Sequence, residues 1–194
     1  NLEQLEEYIT EDTVLVSIMA VNNELGTIQP IEKIAQLTAQ YQNLYLHVDG
    51  IQALGKLELY PARLGIDLYS TSAHKIYGPK GVGALYVGAN KFENIFRGSN
   101  QEQGIRPGTE NVPGIVGFGT AVNLLDVNQE QEKLYQLKEL LVNRILDEIN
   151  GSSLNGPKIK DGAAHIANIS FTISITILYV SIGRNADKFT NKSL

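Results

Sequence analysis

The sequence predicts an α/β fold built on a largely parallel sheet, and three observations carry that prediction. Short β-rich apolar runs alternate with segments of helical spacing. Residues able to do chemistry, Asn23, Asp49 and Lys75, each follow the carboxyl end of such a run. Open parallel sheets bind ligands outside the carboxyl ends of their strands. Pattern and topology therefore point to one crevice.

Asn1 to Ile9 reads as the end of an acidic amphipathic helix, and Thr13 to Met19 as a buried strand. Gln29-Pro30-Ile31 opens a helix with proline near its first turn, and Ile31, Ile34, Leu37 and Tyr41 then fall at helical spacing. Leu44 to Val48, Asp67 to Thr71 and Gly83 to Val87 are the next strands. Gly98 to Pro113 reads as a glycine-rich loop, and Gly117 to Ile149 as one or two long helices with an apolar stripe of Leu134, Leu137, Leu141, Ile145 and Ile149. Asn155-Gly156-Pro157 is a turn, Ala167 to Thr172 a further strand, and Thr172 to Ile177 alternates in the β manner. A domain boundary is expected near Val112 to Asn123. Residues 1–116 then belong to a large domain, 117–150 to a connecting helical region and 151–194 to an incomplete smaller domain.

Bulk properties remove several function classes. The 194 residues carry a net charge of −5, which leaves no basic footprint for nucleic acid or an anionic membrane. There is no cysteine, hence no disulfide and no thiolate-ligated metal. His47 and His165 have no ligand partners at useful spacing, so no metal site is expected; His47 reads as a strand residue near the site and His165 as structural. The most apolar stretch, Ile173 to Ile182, has about ten residues where a membrane helix needs about twenty. The expected location is cytoplasmic. The chain starts at Asn1 without an initiator methionine, and a piece of a longer protein is expected.

The most informative segment is Ser70-Thr71-Ser72-Ala73-His74-Lys75-Ile76-Tyr77-Gly78-Pro79-Lys80-Gly81. It sets a lysine between small hydroxyl residues and a glycine/proline turn, poorly placed for a solvated surface. Such a lysine suits a Schiff base, which needs an amine close to neutral. Asp49 stands 26 residues earlier (75 − 49). An acid that keeps a pyridinium protonated and a lysine that holds an aldehyde are the minimum constellation for pyridoxal phosphate. Asp49 is equally suited to capping a turn after a strand.

Four blocks then resemble the NifS/IscS-like cysteine desulfurases, within the class V branch of fold-type I pyridoxal-phosphate enzymes. They are Val21-Asn22-Asn23-Glu24-Leu25-Gly26; His47-Val48-Asp49 with Gln52; Ser72-Ala73-His74-Lys75 with Gly78-Pro79-Lys80-Gly81; and Gln101-Glu102-Gln103-Gly104-Ile105-Arg106-Pro107-Gly108-Thr109-Glu110-Asn111. The resemblance covers roughly Thr13 to Ser170. It implies a large pyridoxal-phosphate domain with the start of a smaller α/β domain. It makes Lys75 the catalytic and cofactor-holding residue and Asp49 the pyridinium partner. Gln52 is matched to the residue bonding the cofactor's phenolic oxygen, and Asn23 to the one contacting that edge of the ring. Ser72 and His74 lie near the phosphate. Thr109, on a loop that crosses between subunits in the family, reaches the phosphate of the neighbouring site and implies a homodimer. The implied substrate is L-cysteine, with a sulfur-acceptor or scaffold protein as a possible partner.

The pattern also departs from the family. The desulfurase reaction uses a loop cysteine beyond the strand resembling Asn168 to Phe171, and this chain has none. Gly98-Ser99-Asn100 stands where three glycines are common, and the match ends after Phe171. A fragment of a longer chain, a frameshifted gene and a degenerate paralogue all fit. Another class V enzyme, such as an aminotransferase or selenocysteine lyase, and a non-catalytic remnant that binds a partner are the rival readings.

Overall fold

A computed structural model describes residues 1–89, 94–172 and 174–181. Ile173 and the end of the expected small domain, residues 182–194, lie outside those residues. The chain divides into two compact units. The first comprises Asn1–Ile18, Ile31–Leu54 and Leu59–Leu125, and the second Met19–Pro30, Gly55–Glu58 and Asp126–Leu194.

The first unit opens with α1 (Leu2–Tyr8), capped by the Asn1 side chain. Its sheet has strand order β1-β2-β3-β4: β1 is Leu15–Met19, β2 Tyr45–Asp49, β3 Leu68–Ser72 and β4 Gly83–Val87. β2 and β3 run parallel, with Asp49 opposite Ser70, whereas β4 returns antiparallel to β3. The antiparallel return follows from the short Gly78–Gly81 turn, since a parallel neighbour needs a crossover of a dozen or more residues. Along β2 Leu46 and Val48 are buried while His47 and Asp49 are half-buried. This period-2 alternation fixes which face Asp49 occupies. The Asp67 carboxylate accepts the Leu46 N–H at 2.8 Å, tying the start of β3 to β2.

The helix α2 (Ile31–Thr38) buries Ile31, Ile34, Ala35 and Thr38. It ends before Tyr41, which the spacing had included. A short helix α3 (Pro61–Leu64), not anticipated, has proline at its start and Gly65 at φ 71° as its left-handed stop. The stretch read as loop up to Pro113 contains a 3-10 helix, Gln101–Gly104, and already includes the first turn of α4 (Val112–Asn123). Asn111 caps α4 by accepting the Gly114 N–H at 3.2 Å, and Pro113 sits in its first turn, where its missing N–H costs nothing. Phe118 of α4 packs on Ala73 and Ile76, with Leu54, Val82, Ala121 and Leu125 around them.

In the second unit α5 (Val127–Glu148) starts at the cap Asp126, whose carboxylate accepts the Gln129 N–H at 3.1 Å. Three antiparallel strands follow in order β5-β6-β7: β5 is Ser152–Asn155, β6 Ile166–Phe171 and β7 Ser174–Ser181. The strand β5 was not anticipated, because Ser152 and Ser153 read as a helix end; pairing with β6 makes it a strand. The buried line of α5 is Leu134, Lys138 and Val142; of the expected stripe, Leu134 is buried and Ile145 packs against the core. Leu137 and Leu141 are only half-buried, and Ile149 is exposed. Val142 joins Ala167 and Ile169 of β6 in the core of this unit.

Candidate active site

Asp49 is the last residue of β2 and is half-buried. Its Oδ1 accepts the Ile51 N–H at 2.9 Å. The carboxylate thus fills the turn-capping role that the residue type favours, and one oxygen remains for another donor. The next residue, Gly50, donates its N–H to the Ser70 carbonyl at 2.9 Å. A β-carbon at Gly50 would overlap the Tyr69 ring at Cζ and Cε2. Glycine is required here by close approach. Burial, and then the Asp49 charge, push the Tyr69 phenol up to about 12.

Gln52 is buried within the turn that follows, whose Ala53 and Leu54 N–H groups both bond the Gly50 carbonyl. Ser72 ends β3, and Lys75 lies in the 3-10 helix Ala73–Ile76 directly after it. Ala73 and Ile76 point into the core with Phe118, which leaves His74 and Lys75 outward and exposed. The expectation that Lys75 avoids a solvated surface is therefore corrected: a one-turn helix anchored by its first and last residues must present its middle pair. The Ser72 hydroxyl and His74 Nδ1 are 2.7 Å apart, a bond that preorganises the two side chains together. Tyr77 closes the turn at φ 66°, a conformation that non-glycine residues hold at a cost of about 1–3 kcal/mol and that clusters at functional sites.

The first unit thus brings together Asp49, Gln52, Ser72, His74 and Lys75 on the carboxyl ends of two adjacent parallel strands. Thr109 lies in an exposed segment of the same unit. Its carbonyl and that of Gly108 accept the Arg106 guanidinium at 3.4 Å, and no described contact joins it to Asp49 or Lys75. Glu102 and Gln103, seven and six residues before it, are also left-handed. Asn23 belongs to the second unit. There Asn22 spends its side-chain oxygen on the N–H groups of Glu24 and Leu25, at 3.0 and 2.7 Å, while Asn23 is exposed.

Two features were missed from sequence. Ser17, His47 and Ser70 form a side-chain chain across three strands, with His47 Nδ1 at 2.7 Å from Ser17 and Nε2 at 3.2 Å from Ser70. The period-2 relation of His47 to Asp49 was the available signal. The second is Lys138, which is buried and donates to the Ala163 carbonyl at 2.9 Å. Among the described residues no cluster of three or more metal-ligating side chains exists, and no helix is long and apolar enough to cross a membrane.

The first unit has the α/β architecture of a mixed sheet flanked by helices, with an acid and an amine at the carboxyl ends of adjacent parallel strands. Residues 1–180 match the model of the family described as aminotransferase class-V, and the chain belongs to that family. The family is pyridoxal-phosphate dependent. The chain is 46% identical over 161 residues to the cysteine desulfurase IscS of Clostridium botulinum, covering 81% of this chain and 40% of the relative. The mitochondrial cysteine desulfurase of Arabidopsis thaliana is 43% identical, with 80% of this chain and 35% of that protein covered. Among solved structures, a NifS-like protein superposes with a TM-score of 0.82 at 36% identity, over 88% of this chain and 47% of that one. SspA in complex with cysteine superposes at 0.73 with 37% identity, again over 88% of this chain and 47% of the other. The chain spans less than half the length of these relatives.

Proposed function

We propose that the chain carries the lysine-and-acid part of a pyridoxal-phosphate-dependent cysteine desulfurase. The observation that carries this reading is the placement of Asp49 and of the Ser72–Lys75 turn at the carboxyl ends of adjacent parallel strands. Its donor set fits the cofactor: an accessible amine, a carboxylate with one oxygen committed to its own turn, and a preorganised hydroxyl–imidazole pair. When bound, pyridoxal phosphate supplies the electron sink. Lys75 would hold it, and its Nζ would move a proton. Asp49 would face the ring nitrogen, Gln52 and Asn23 the phenolic edge, and Ser72 and His74 the phosphate. Thr109 serves the site of a second subunit.

The parent reaction converts L-cysteine to L-alanine and leaves sulfur as an enzyme-bound persulfide, for iron–sulfur clusters or thio-cofactors. A persulfide needs a thiol, and this chain has none. Alone, therefore, it performs no desulfuration, and a sulfur acceptor or scaffold protein is the natural partner in the cytoplasm. Residues 1–116 act as part of the cofactor domain, 117–150 as the connection and 151–194 as part of the small domain. The exposed apolar face of α4, Val112, Ile115, Val116 and Val122, supports association into a homodimer.

The missing thiol also favours a second reading, a non-catalytic remnant that keeps the fold to bind a partner. Titration with pyridoxal phosphate, borohydride reduction and peptide mapping separate the two. Visible absorbance and a label on Lys75 support the first reading. A label on Lys80 or Lys56, or no absorbance change, overturns it.

A further inference from the structure

We propose that Lys138 and Tyr135 of α5 are positioning residues for Asn23: they fix the Gly162–Ala163 segment, and that segment seats the Asn22–Thr27 turn on which Asn23 stands. All of these residues belong to the second unit. In its bearing on the cofactor, the proposal rests on the reading of Asn23 given above.

The turn is rigid within itself. The Asn22 side-chain oxygen accepts the Glu24 and Leu25 N–H groups at 3.0 and 2.7 Å. The Asn22 backbone carbonyl accepts the Gly26 N–H at 3.0 Å, and its own N–H bonds the Thr27 carbonyl at 2.9 Å. Asn23 sits inside this closed set of bonds and moves with the turn as one body. Gly26 is buried, at φ 72°, and a β-carbon there would come within 3.1 Å of the Ile166 Cβ. The turn therefore lies flat on the start of β6.

Its place is set by a segment 137 residues later in the chain (163 − 26). Ala163 bridges with both of its backbone groups. Its N–H donates to the Gly26 carbonyl at 2.8 Å, and its carbonyl accepts the Lys138 amine at 2.9 Å. Gly162 pairs with Thr27 across an antiparallel bridge, and its carbonyl accepts the Tyr135 hydroxyl at 2.8 Å. Tyr135 and Lys138 are three residues apart, so one face of α5 grips both carbonyls. A second tie to the turn, from the Asn168 amide to the Glu24 carbonyl, is longer at 3.4 Å and correspondingly weaker. An alkyl side chain could fill the buried place of Lys138 without desolvating an amine. What the amine adds is a carbonyl held at one position, and the N–H of that same residue holds the turn.

Amide NMR on the full chain tests the path. Tyr135→Phe and Lys138→Met each remove one donor and keep the ring or the stem. In both variants the amide resonances of Asn23 and Gly26 should shift, and those of the β5–β6 ladder should stay in place, which a uniform loss of stability does not produce. Bound pyridoxal phosphate supplies the second readout. A hydrogen bond to its phenolic oxygen favours the ionised form, so losing that bond raises the pH at which the visible absorbance changes. Asn23→Ala should raise that midpoint by about half a pH unit. Tyr135→Phe and Lys138→Met should raise it too, and should add nothing in an Asn23→Ala background. Tyr135→Phe, which removes a single oxygen, decides the matter should Lys138→Met fail to fold. Unmoved Asn23 and Gly26 resonances overturn the proposal whether or not the cofactor binds. An unmoved midpoint in the α5 variants, where Asn23→Ala shifts it, overturns it as well. If Asn23→Ala leaves the midpoint unchanged, or the wild-type chain binds no pyridoxal phosphate, the reading of Asn23 fails instead, and the resonances still decide whether α5 holds the turn.

Discussion

Two lysines, one in each unit, sit in opposite circumstances. Lys75 stands exposed on a one-turn helix at the end of β3. Lys138 lies in the middle of α5 at 2% exposure, with its amine bonded to the Ala163 carbonyl. Burial holds the Lys138 amine below its usual proton affinity. By that criterion alone Lys138 looks like the reactive one. Its geometry says otherwise: the amine is tied to a backbone carbonyl, and Tyr135, one turn earlier, donates to the adjacent Gly162 carbonyl at 2.8 Å. Lys138 is a structural clamp on the segment entering β6, whereas Lys75 is an accessible amine on a strained turn. Reactivity requires access as well as a shifted proton affinity.

The comparison breaks most visibly on Lys138→Ala. Loss of a buried stem and its hydrogen bond should cost about 3 kcal/mol in urea unfolding. A cost under about 1 kcal/mol would mean that the clamp is idle. On the site side, rigidity should lie in the backbone beneath the lysine rather than in the lysine. Gly50→Ala forces a methyl into the Tyr69 ring and should cost about 2 kcal/mol. Combining it with Tyr69→Leu should recover part of that loss.

Lys138→Met keeps the stem and removes the amine. The Ala163 carbonyl still accepts the Ile166 N–H at 3.3 Å, so the loss near neutral pH should be about 1 kcal/mol. The pH dependence sharpens the contrast. Between the lowered folded value of Lys138 and its ordinary 10.5, the unfolded chain binds more protons, so stability should rise with pH in that window. Lys138→Met should remove this rise. Tyr69 has the opposite sign. Its phenol is raised from 10.0 to about 12, so its contribution is complete below pH 10 and is lost as pH climbs towards 12. Tyr135 is shifted in the same direction. Urea titrations at stepped pH on wild type, Lys138→Met and Tyr69→Phe would resolve the two slopes, and equal profiles in all three would refute both assignments.

The smallest expected effect on stability belongs to Lys75→Ala. An exposed side chain should change it by less than about 0.5 kcal/mol, while covalent trapping of pyridoxal phosphate should disappear entirely. A large loss of stability would place Lys75 in the framework and close the gap between the two lysines.

The amino-acid pattern alone set the order of the strands in the first unit and the strand ends that Asp49 and Lys75 follow, though not α3 or the 3-10 helix Gln101–Gly104. Those features are local: period-2 burial in β2, proline at the start of α2 and glycine turns after β3 each act within a few residues. Tertiary structure decided the rest, because it depends on partners distant in sequence. Ser152 and Ser153 became strand only through β6, and Lys138 took a buried place on α5 because the Ala163 carbonyl, 25 residues on, could satisfy its amine. Lys75 faces outward because Phe118 claims the residues on either side of the His74–Lys75 pair. The Ser17–His47–Ser70 chain needs three strands laid side by side before any of its bonds can exist. A linear pattern records what a residue can do. Which of its capacities is used is set by the neighbour that satisfies it, and only folding brings that neighbour within 3 Å or so.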